Sequence, residues 1–478
     1  GSLKWLLPGI SLSALMSMSA NSFLFSSIFV QIGSEAGIFC HFGRLDDFLA
    51  AGSPGFKYGA IKAILLPPCF RGTICRFFSA LPSLTFAAMT VVYLKKKISR
   101  RVESGHPWVF ANEVGKIEGP LEAGDIVDLL NHEGKFIGRG YANPKSQILV
   151  RLLTRDKKET IDAAFFHRRL ETAWKYRQQL GYTENCRLVF GEADFLPALI
   201  IDKFNDYFVL QTLAFGMDKW KPAIVEALNS IFNPKGIYER NDVPVRELEG
   251  LPQIKGFLSA PFDTKIVINE NGLRFNVDLE NGQKTGYFLD QQDNRRAIKN
   301  IVKGADVLGA FTYTGTFEIH AAYYGAKSVL GLDISGAAVE QANRNAALNG
   351  YEKTCKFIEV NAFDVLKQWS KEGKQYDVVM LDPPAFTKSR ENIQKAITGY
   401  KEINLRGMKL VKPGGFLVTT SCTNLVQPEL FLEIIQLAAN DARRTLRQVV
   451  YQTQASDHPI VWGWDNTHYL KFLIVQVL

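Results

Sequence analysis

The sequence predicts an α/β protein that ends in a doubly wound, mostly parallel sheet, preceded by a small β-barrel and an α+β middle unit. Three observations predict this. Strand-like and helix-like stretches alternate from residue 306 to residue 439, which is typical of parallel sheets covered by helices on both faces. Short strands separated by glycine turns are crowded between residues 90 and 157. A compact strand–strand–helix–strand pattern lies between them, over residues 198–240.

Length and composition set the scale of the molecule. A chain of 478 residues is too long for one core and suggests about three domains. The formal net charge of +8 fits an anionic partner, foremost nucleic acid, although a solvated basic surface gives the same balance. None of the six cysteines forms a CxxC pair, so neither a metal site nor a disulfide framework is expected and a reduced, cytoplasmic setting is the simplest interpretation.

Residues 1–88 do not match the rest of the chain. The stretch from Trp5 to Ser34 carries no charge and is long enough to span a bilayer, but Pro8, Gly9 and many serines interrupt it. We favour an extension that is poorly ordered or non-native, with Met89 as the natural start, over a targeting or anchoring segment. No membrane partner is expected.

Residues 89–157 are predicted to form the small barrel. A strand at residues 91–94 is followed by a basic cluster, and exposed aromatic residues come soon after it. Phosphate attraction and base stacking together make such a barrel a candidate RNA platform. Its candidate RNA-binding residues are Lys95, Lys96, Lys97, Arg100, Arg101, His106 and Trp108. The alternative for the basic cluster is a solubilising face.

Residues 158–270 are predicted to form the α+β middle domain. Aromatic and basic residues are interleaved at helical spacing between residues 160 and 190, and strands and one helix follow. Its charges are interpreted as surface residues, because no metal or nucleophile constellation is present.

The chemistry is predicted in residues 271–478. An apolar strand at residues 376–381 stops at Asp382-Pro383-Pro384, because prolines cannot continue the hydrogen-bonded ladder. Open α/β sheets bind their ligands at the carboxyl ends of parallel strands, so Asp382 lies where chemistry is expected. The alternative is a strand end with a turn.

Two other acids follow predicted strands and suit an adenosine cofactor. Asp333 can accept both hydroxyls of a ribose, and Asp364 can accept a hydrogen bond from an adenine amino group. Neither a dinucleotide fingerprint nor a phosphate-binding loop is present. This combination favours S-adenosylmethionine, while the alternative for both acids is helix capping.

Cys422 is predicted at the end of the strand beside the one that ends at Asp382. A thiolate there could attack carbon 6 of a pyrimidine, which makes carbon 5 nucleophilic enough to take a methyl group. Asp382 could hydrogen-bond the base and assist proton transfer. The alternative for a buried cysteine is inert packing.

Several motifs together resemble one family. They are GHPWVF at 105–110, GEAD at 191–194, YER at 238–240, the stretch 282–295, LDPPAF at 381–386, SCT at 421–423 and DHP at 457–459. In this order they resemble the bacterial ribosomal RNA large-subunit 5-methylcytosine methyltransferases, over about residues 90–478. The resemblance implies a PUA RNA-binding domain, a small α/β domain and a class I methyltransferase domain with a Rossmann-like sheet.

The resemblance also implies S-adenosylmethionine as the methyl donor, Cys422 as the nucleophile and ribosomal RNA as the substrate. A homodimer is a further expectation. The expected cofactor contacts are Gln283, Thr285, Tyr287, Asp290, Phe311, Thr314, Gly315, Asp333, Ile334, Asn361, Ala362, Asp364 and Asp382.

Several positions depart from the family's pattern, including Phe195, Ala198 and Thr316, where it usually has small glycines. Gly309 stands where the family usually has an acid, and Gln292 stands where it usually has arginine. Ala385 stands where a related subgroup carries a second cysteine, so product release here cannot depend on one. Two alternatives therefore stay open: methylation of a guanine nitrogen, or a non-catalytic role in RNA binding or ribosome assembly.

Overall fold

A computed structural model describes residues 27–32, 38–43, 89–96, 100–387 and 389–478. The chain divides into one unit over residues 1–86 and another over residues 87–478. In the first unit, β1 (Ser27–Ile32) pairs antiparallel with β2 (Ile38–Gly43). The rest of the predicted extension, residues 1–88, lies outside the described residues, and so does Lys97.

The second unit begins with a six-stranded mixed sheet in the order β4-β8-β7-β6-β3-β5. Its buried residues alternate along the strands, as Val92 and Leu94 of β3 and Val127 and Leu129 of β6 do. Because β3 and β6 pair in parallel, this sheet is not a simple antiparallel meander. The elements are β3 (Val91–Leu94), α1 (Arg100–Glu103), β4 (Trp108–Phe110), β5 (Val114–Glu118), β6 (Ile126–Leu130), β7 (Phe136–Ala142) and β8 (Ile148–Thr154).

A five-stranded sheet follows, in the order β13-β12-β11-β10-β9. An apolar core lies between it and two helices, α2 and α4. Its elements are α2 (Ala163–Gln179), β9 (Asn185–Phe190), β10 (Leu199–Phe204), β11 (Tyr207–Thr212), α3 (Phe215–Lys219), α4 (Lys221–Phe232), β12 (Gly236–Asn241) and β13 (Ile254–Phe257). A hairpin then forms from β14 (Lys265–Glu270) and β15 (Leu273–Asp278). This hairpin spans the predicted boundary at residue 270, and the predicted domain limits stay predictions.

The last part is a seven-stranded sheet in the order β18-β17-β16-β19-β20-β22-β21. The pairings from β18 to β20 are parallel, and those of β22 with β20 and β21 are antiparallel. The strands are β16 (Asp306–Ala310), β17 (Ser328–Asp333), β18 (Cys355–Glu359), β19 (Tyr376–Leu381), β20 (Val411–Ser421), β21 (Leu446–Gln452) and β22 (Lys471–Val477).

Helices cover both faces of this sheet, which confirms the predicted doubly wound fold. Side chains of β19 alternate between the two cores: Val378 and Met380 enter one, Val379 and Leu381 the other. Helices α8, α9 and α10 pack on the second core, while α6, α7 and the β14–β15 hairpin pack on the first. The helices are α5 (Gln292–Ala297), α6 (Thr316–Tyr323), α7 (Gly336–Leu348), α8 (Ala362–Glu372), α9 (Ile393–Leu410) and α10 (Pro428–Ala442).

A buried ion pair fixes the stretch that precedes β16. Arg295 Nη1 lies 2.6 and 2.7 Å from the two carboxylate oxygens of Glu270, and Arg295 Nη2 donates to the Phe288 carbonyl at 2.7 Å. Both side chains are almost fully buried. Because a buried charge is tolerated only when it is paired, this contact ties α5 to the hairpin and holds residues 282–295 beside the sheet.

The part of the chain that the structure describes contains neither a membrane-spanning helix nor a metal-binding cluster. No helix there is long and apolar enough to cross a membrane. No group of three or more His, Cys, Asp or Glu side chains there is placed to hold a metal ion.

The packing of α10 gives a first prediction. Phe431 is fully buried in the core beneath α10, whereas 38% of the neighbouring Leu432 is exposed. Phe431→Ala should lower the free energy of unfolding by about 3–5 kcal/mol, because it removes buried apolar surface and leaves a cavity. Leu432→Ala is the matched control and should cost less than about 1 kcal/mol. Urea unfolding measures both; equal losses would contradict the assigned packing.

Candidate active site

A cavity of about 790 Å³ opens at the carboxyl edge of the parallel strands. The loops after β16, β17, β19 and β20 border it, together with residues 283–295 and the start of α8. The predicted site residues that line it are Gln283, Asp290, Phe311, Asp333, Ile334, Asn361, Ala362, Asp382 and Cys422. The carboxyl edge of the sheet therefore gathers most of the predicted site in one place.

The ladder between β19 and β20 brings Asp382 and Cys422 together. Leu381 is the register partner of Thr419, so the two strands end side by side. Cys422 Sγ lies 3.9 Å from the carbonyl oxygen of Pro383, and Cys422 is partly exposed to the cavity. The Asp382 carboxyl group and the Cys422 thiol, which follow neighbouring strands, thus line the same part of the cavity.

Asp382 is held by two neutral donors. Gln291 Nε2 donates to Asp382 Oδ1 at 3.0 Å, and the Thr420 hydroxyl donates to the same oxygen. Burial raises the pKa of Asp382 to about 6, and the charge of Asp290 raises it further against the Thr420 hydrogen bond. The carboxyl group can therefore exchange a proton near neutral pH.

Cys422 is largely buried and lies near two lysines, Lys284 and Lys471, which both favour its ionised form. Burial raises the pKa of its thiol to about 11, while the positive charge of Lys284 lowers it. Lys284 Nζ lies 3.1 Å from Asp290 Oδ2, and the Tyr469 hydroxyl donates to that same oxygen at 2.6 Å. Lys284 is therefore anchored at the cavity wall where it favours the thiolate.

Asp333 is oriented by backbone amides rather than used as a helix cap. Its Oδ2 accepts from Tyr313 N at 2.7 Å and its Oδ1 from Ser335 N at 2.9 Å. Ser335 caps α7 through a hydrogen bond from Ala338 N. This settles the capping alternative for Asp333, whose carboxylate keeps lone pairs for a ligand.

Apolar side chains flank the cavity beyond Asp333. Ile334 is 70% exposed and Phe363 39% exposed, and the rings of Phe311 and Phe363 lie 5.6 Å apart between centroids. Asn361 caps α8 by accepting from Phe363 N at 3.0 Å. An apolar slot beside an oriented carboxylate is the environment that an adenine ring and its ribose require.

These features fit S-adenosylmethionine. The cavity has the volume of a cofactor site, and its lining includes an acid suited to ribose hydroxyls, apolar side chains suited to adenine and the Cys422 thiol. Asp333 would hold the ribose, and Ile334, Phe311 and Phe363 would hold the base.

Five predicted cofactor contacts do not line the cavity. The Thr285 hydroxyl donates to Asp202 at 2.6 Å, and Tyr287 packs under the Arg295 guanidinium. The Thr314 carbonyl accepts from Asn345, and Gly315, at φ +77°, precedes α6. Asp364 is exposed in the first turn of α8. These five shape the loops around the cavity, and their direct contact with a cofactor stays a prediction.

Several lining residues were not predicted as site residues: Lys284, Gln291, Arg295, Glu318, Phe363 and Thr420. Lys284, Gln291 and Arg295 fall in the stretch 282–295 that carries the resemblance, and Phe363 follows the predicted contacts Asn361 and Ala362. Those positions offered a signal. The sequence gives no such signal for Glu318 or Thr420, because Glu318 lies within a predicted helix and Thr420 within a predicted strand.

The predicted RNA-binding residues of the barrel divide into two groups. Lys95 and Lys96 are exposed. Arg101 pairs with Glu113 at 2.8 Å, and its neighbour His106 has a pKa lowered to about 4 by burial and by the Arg101 charge. The Trp108 indole donates to Glu192 at 2.9 Å. Lys97 and the side chain of Arg100 lie outside the described residues. RNA contact by any of them stays a prediction.

Comparison with known proteins agrees with the fold and with S-adenosylmethionine as the cofactor. The S-adenosylmethionine-dependent methyltransferase family model matches residues 254–458, and the PUA-like domain model matches residues 92–155. A solved methyltransferase in complex with S-adenosylhomocysteine shares the fold at a TM-score of 0.70 and 19% identity, over 81% of this chain and 100% of that one. A methyltransferase structure from Streptococcus mutans gives 0.69 at 20% identity, with the same coverage. The protein is an S-adenosylmethionine-dependent methyltransferase, as predicted.

Curated relatives define the family more closely. Ribosomal RNA large subunit methyltransferase I of Shewanella denitrificans is 42% identical over 393 residues, which cover 81% of this chain and 99% of the relative. The protein of that name from Alteromonas mediterranea is 40% identical over 390 residues, covering 81% and 98%. The chain belongs to the family of ribosomal RNA large subunit methyltransferases I.

Asp333 provides the prediction for this site. Asp333→Asn keeps the shape but removes the charge that ribose hydroxyls bind, so the affinity for S-adenosylmethionine should fall about 10- to 100-fold. Isothermal titration calorimetry without RNA measures it. Glu359→Gln is the matched control, because Glu359 is the register partner of Asp333 on β18 yet does not line the cavity. Equal affinity for the Asp333 variant and the control would remove Asp333 from the cofactor site.

Proposed function

We propose that this protein transfers a methyl group from S-adenosylmethionine to carbon 5 of a cytosine in large-subunit ribosomal RNA, through a covalent adduct with Cys422. One observation carries the proposal: a cysteine and an acid meet at the cofactor cavity, with Cys422 Sγ 3.9 Å from the Pro383 carbonyl beside Asp382. Methylation of a nitrogen, which already has a lone pair, needs no thiol there.

The covalent step follows from the electronic structure of cytosine. Cys422 loses its proton to solvent and Sγ adds to carbon 6, while the electron pair of the C5=C6 bond moves to carbon 5. When bound, S-adenosylmethionine would supply an electrophilic methyl group, which carbon 5 takes as the methyl–sulfonium bond breaks and S-adenosylhomocysteine leaves. Asp382 then accepts the proton from carbon 5, the double bond re-forms and the C6–S bond breaks to return the thiolate.

Neighbouring side chains support these roles. Lys284 stabilises the negative charge on Cys422 both before attack and after release. The Tyr400 hydroxyl lies 2.8 Å from Thr423 Oγ1 and holds the residue that follows Cys422. Gln291 and Thr420 orient the Asp382 carboxylate. Ala385 leaves Cys422 as the single lining cysteine of the described cavity, so elimination from the adduct rests on Asp382.

Ribosomal RNA as the substrate rests on the relatives, whose name states it and which this chain matches over nearly their whole length. A net charge of +8 and the exposed Lys95 and Lys96 suit a polyanion. A cytoplasmic location and a homodimer accompany this proposal as expectations.

Cys422→Ala should abolish methyl transfer, by at least about 1000-fold, and leave the affinity for S-adenosylmethionine within about twofold. Transfer of tritiated methyl groups to large-subunit RNA from cells that lack the protein measures the first, and calorimetry the second. Cys355→Ala is the matched control, since Cys355 is buried and does not line the cavity. Full activity in Cys422→Ala would overturn the adduct and favour methylation of a nitrogen.

The pH profile tests Asp382 separately. Below pH about 6 the Asp382 carboxyl is protonated and cannot accept a proton, and the thiolate fraction also falls. The logarithm of the single-turnover rate should therefore rise with pH at a slope of about 2 below pH 6 and about 1 above it. Cofactor affinity measured over the same range is the control for binding. A slope of about 1 throughout would show that Asp382 is not the base.

A further inference from the structure

Glu318 is a buried acid that the proposed reaction does not use. It belongs to α6 and borders the cofactor cavity, yet only 2% of the residue is exposed. Its Oε2 atom has no hydrogen-bond partner. Burial raises the pKa of Glu318 to about 8, with added effects of Asp382 and Asp333. An unpartnered buried carboxyl group lowers the stability of a fold. We therefore expect a ligand to supply the missing hydrogen-bond partner of Glu318.

The missing side chain of Gly309 makes room for this acid. A Cβ atom on Gly309 would collide with Glu318 Oε1 and would lie 2.8 Å from the carboxyl carbon. The carboxyl group of Glu318 therefore rests on the middle of β16, in the space that a strand side chain would fill. A residue of α6 thus places a carboxyl group at the cavity, against the middle of β16.

A buried cation borders the same cavity. Arg295 uses Nη1 for Glu270 and Nη2 for the Phe288 carbonyl, while its Nε has no partner. The Arg295 guanidinium lies 5.7 Å from the ring centroid of Phe317, the residue before Glu318, and both charged side chains line the same cavity. An acid and a base that each keep an unpartnered atom are complementary to the ammonium and carboxylate groups of an α-amino acid.

We propose that Glu318 binds the α-ammonium group of the methyl donor, with Arg295 facing its α-carboxylate. Asp333 and the apolar slot account for the adenosine half of the donor, and Asp382 and Cys422 account for the target base. Lys284, held by Asp290, is assigned to the Cys422 thiolate, so Glu318 and Arg295 are the charged lining groups left for the amino-acid half. The proposal rests on S-adenosylmethionine dependence and not on which base atom is methylated.

The test compares three ligands on the full chain, without RNA. Glu318→Gln keeps the size of the side chain and removes its ability to ionise against a bound ammonium group. Calorimetry should show affinity for S-adenosylmethionine and S-adenosylhomocysteine reduced about 10- to 100-fold, because both carry the ammonium group. Affinity for 5′-methylthioadenosine, which lacks the amino-acid part, should stay within about twofold. Equal losses for all three ligands, or no loss, would overturn the proposal. A loss for S-adenosylmethionine alone would also overturn it, because it would place Glu318 at the sulfonium.

A rescue keeps the test independent of folding effects. Glu318→Ala should weaken S-adenosylmethionine at least as much as Glu318→Gln. In the double variant Gly309→Asp/Glu318→Ala, β16 supplies an acid in place of the one removed from α6. Its affinity for S-adenosylmethionine should be at least about tenfold higher than that of Glu318→Ala alone. Glu340→Gln on the exposed face of α7 is the control and should bind like the unchanged chain. If the cytosine proposal failed, these binding results would be unaffected, because no base is present.

Discussion

The parallel pairing of β19 with β16 on one side and β20 on the other is the constraint on which the site depends. Side chains of β19 alternate between two cores, so a slip of one residue would move every one to the wrong face. The same register sets where the strands end. It brings the loop that carries Asp382 beside Cys422, and both beside the loop after β16. Packing of the apolar core thus determines where Asp382 and Cys422 lie.

Burial then sets the electrostatics of the cavity. Asp382 and Glu318 both have raised pKa values, since the sheet and helices remove water from their surroundings. Lys284 and Arg295 are the cations of the same cavity, and each is held by an acid, Asp290 for the one and Glu270 for the other. The cavity therefore offers preformed charges that need little rearrangement when a ligand arrives. A donor with a cationic centre and a zwitterionic end matches that arrangement.

Some of the motifs that carry the family resemblance serve structure rather than chemistry. In the GEAD motif, Glu192 accepts from the Trp108 indole and Asp194 pairs with the buried Arg177. Arg177 also donates to the carbonyl of Asp457 in the DHP motif. Asp202 binds both Arg187 and Thr285. Through these contacts the barrel, the middle sheet and the stretch before β16 are joined by buried polar bonds, each of which requires its partner.

The sequence by itself determined the doubly wound sheet and placed Asp333, Asp382 and Cys422 at the carboxyl edge of its strands. The reason is that alternation of strands and helices forces parallel strands, whose carboxyl ends meet at one edge. It did not determine the antiparallel β21 and β22, whose pairing depends on which strand covers the edge of β20. Nor did it reveal that Arg101 is paired with Glu113, or that Thr285 is held by Asp202, which is distant in the chain. Only the tertiary structure brought Glu318 against Gly309, because the partner of a side chain is decided by the space that other elements leave.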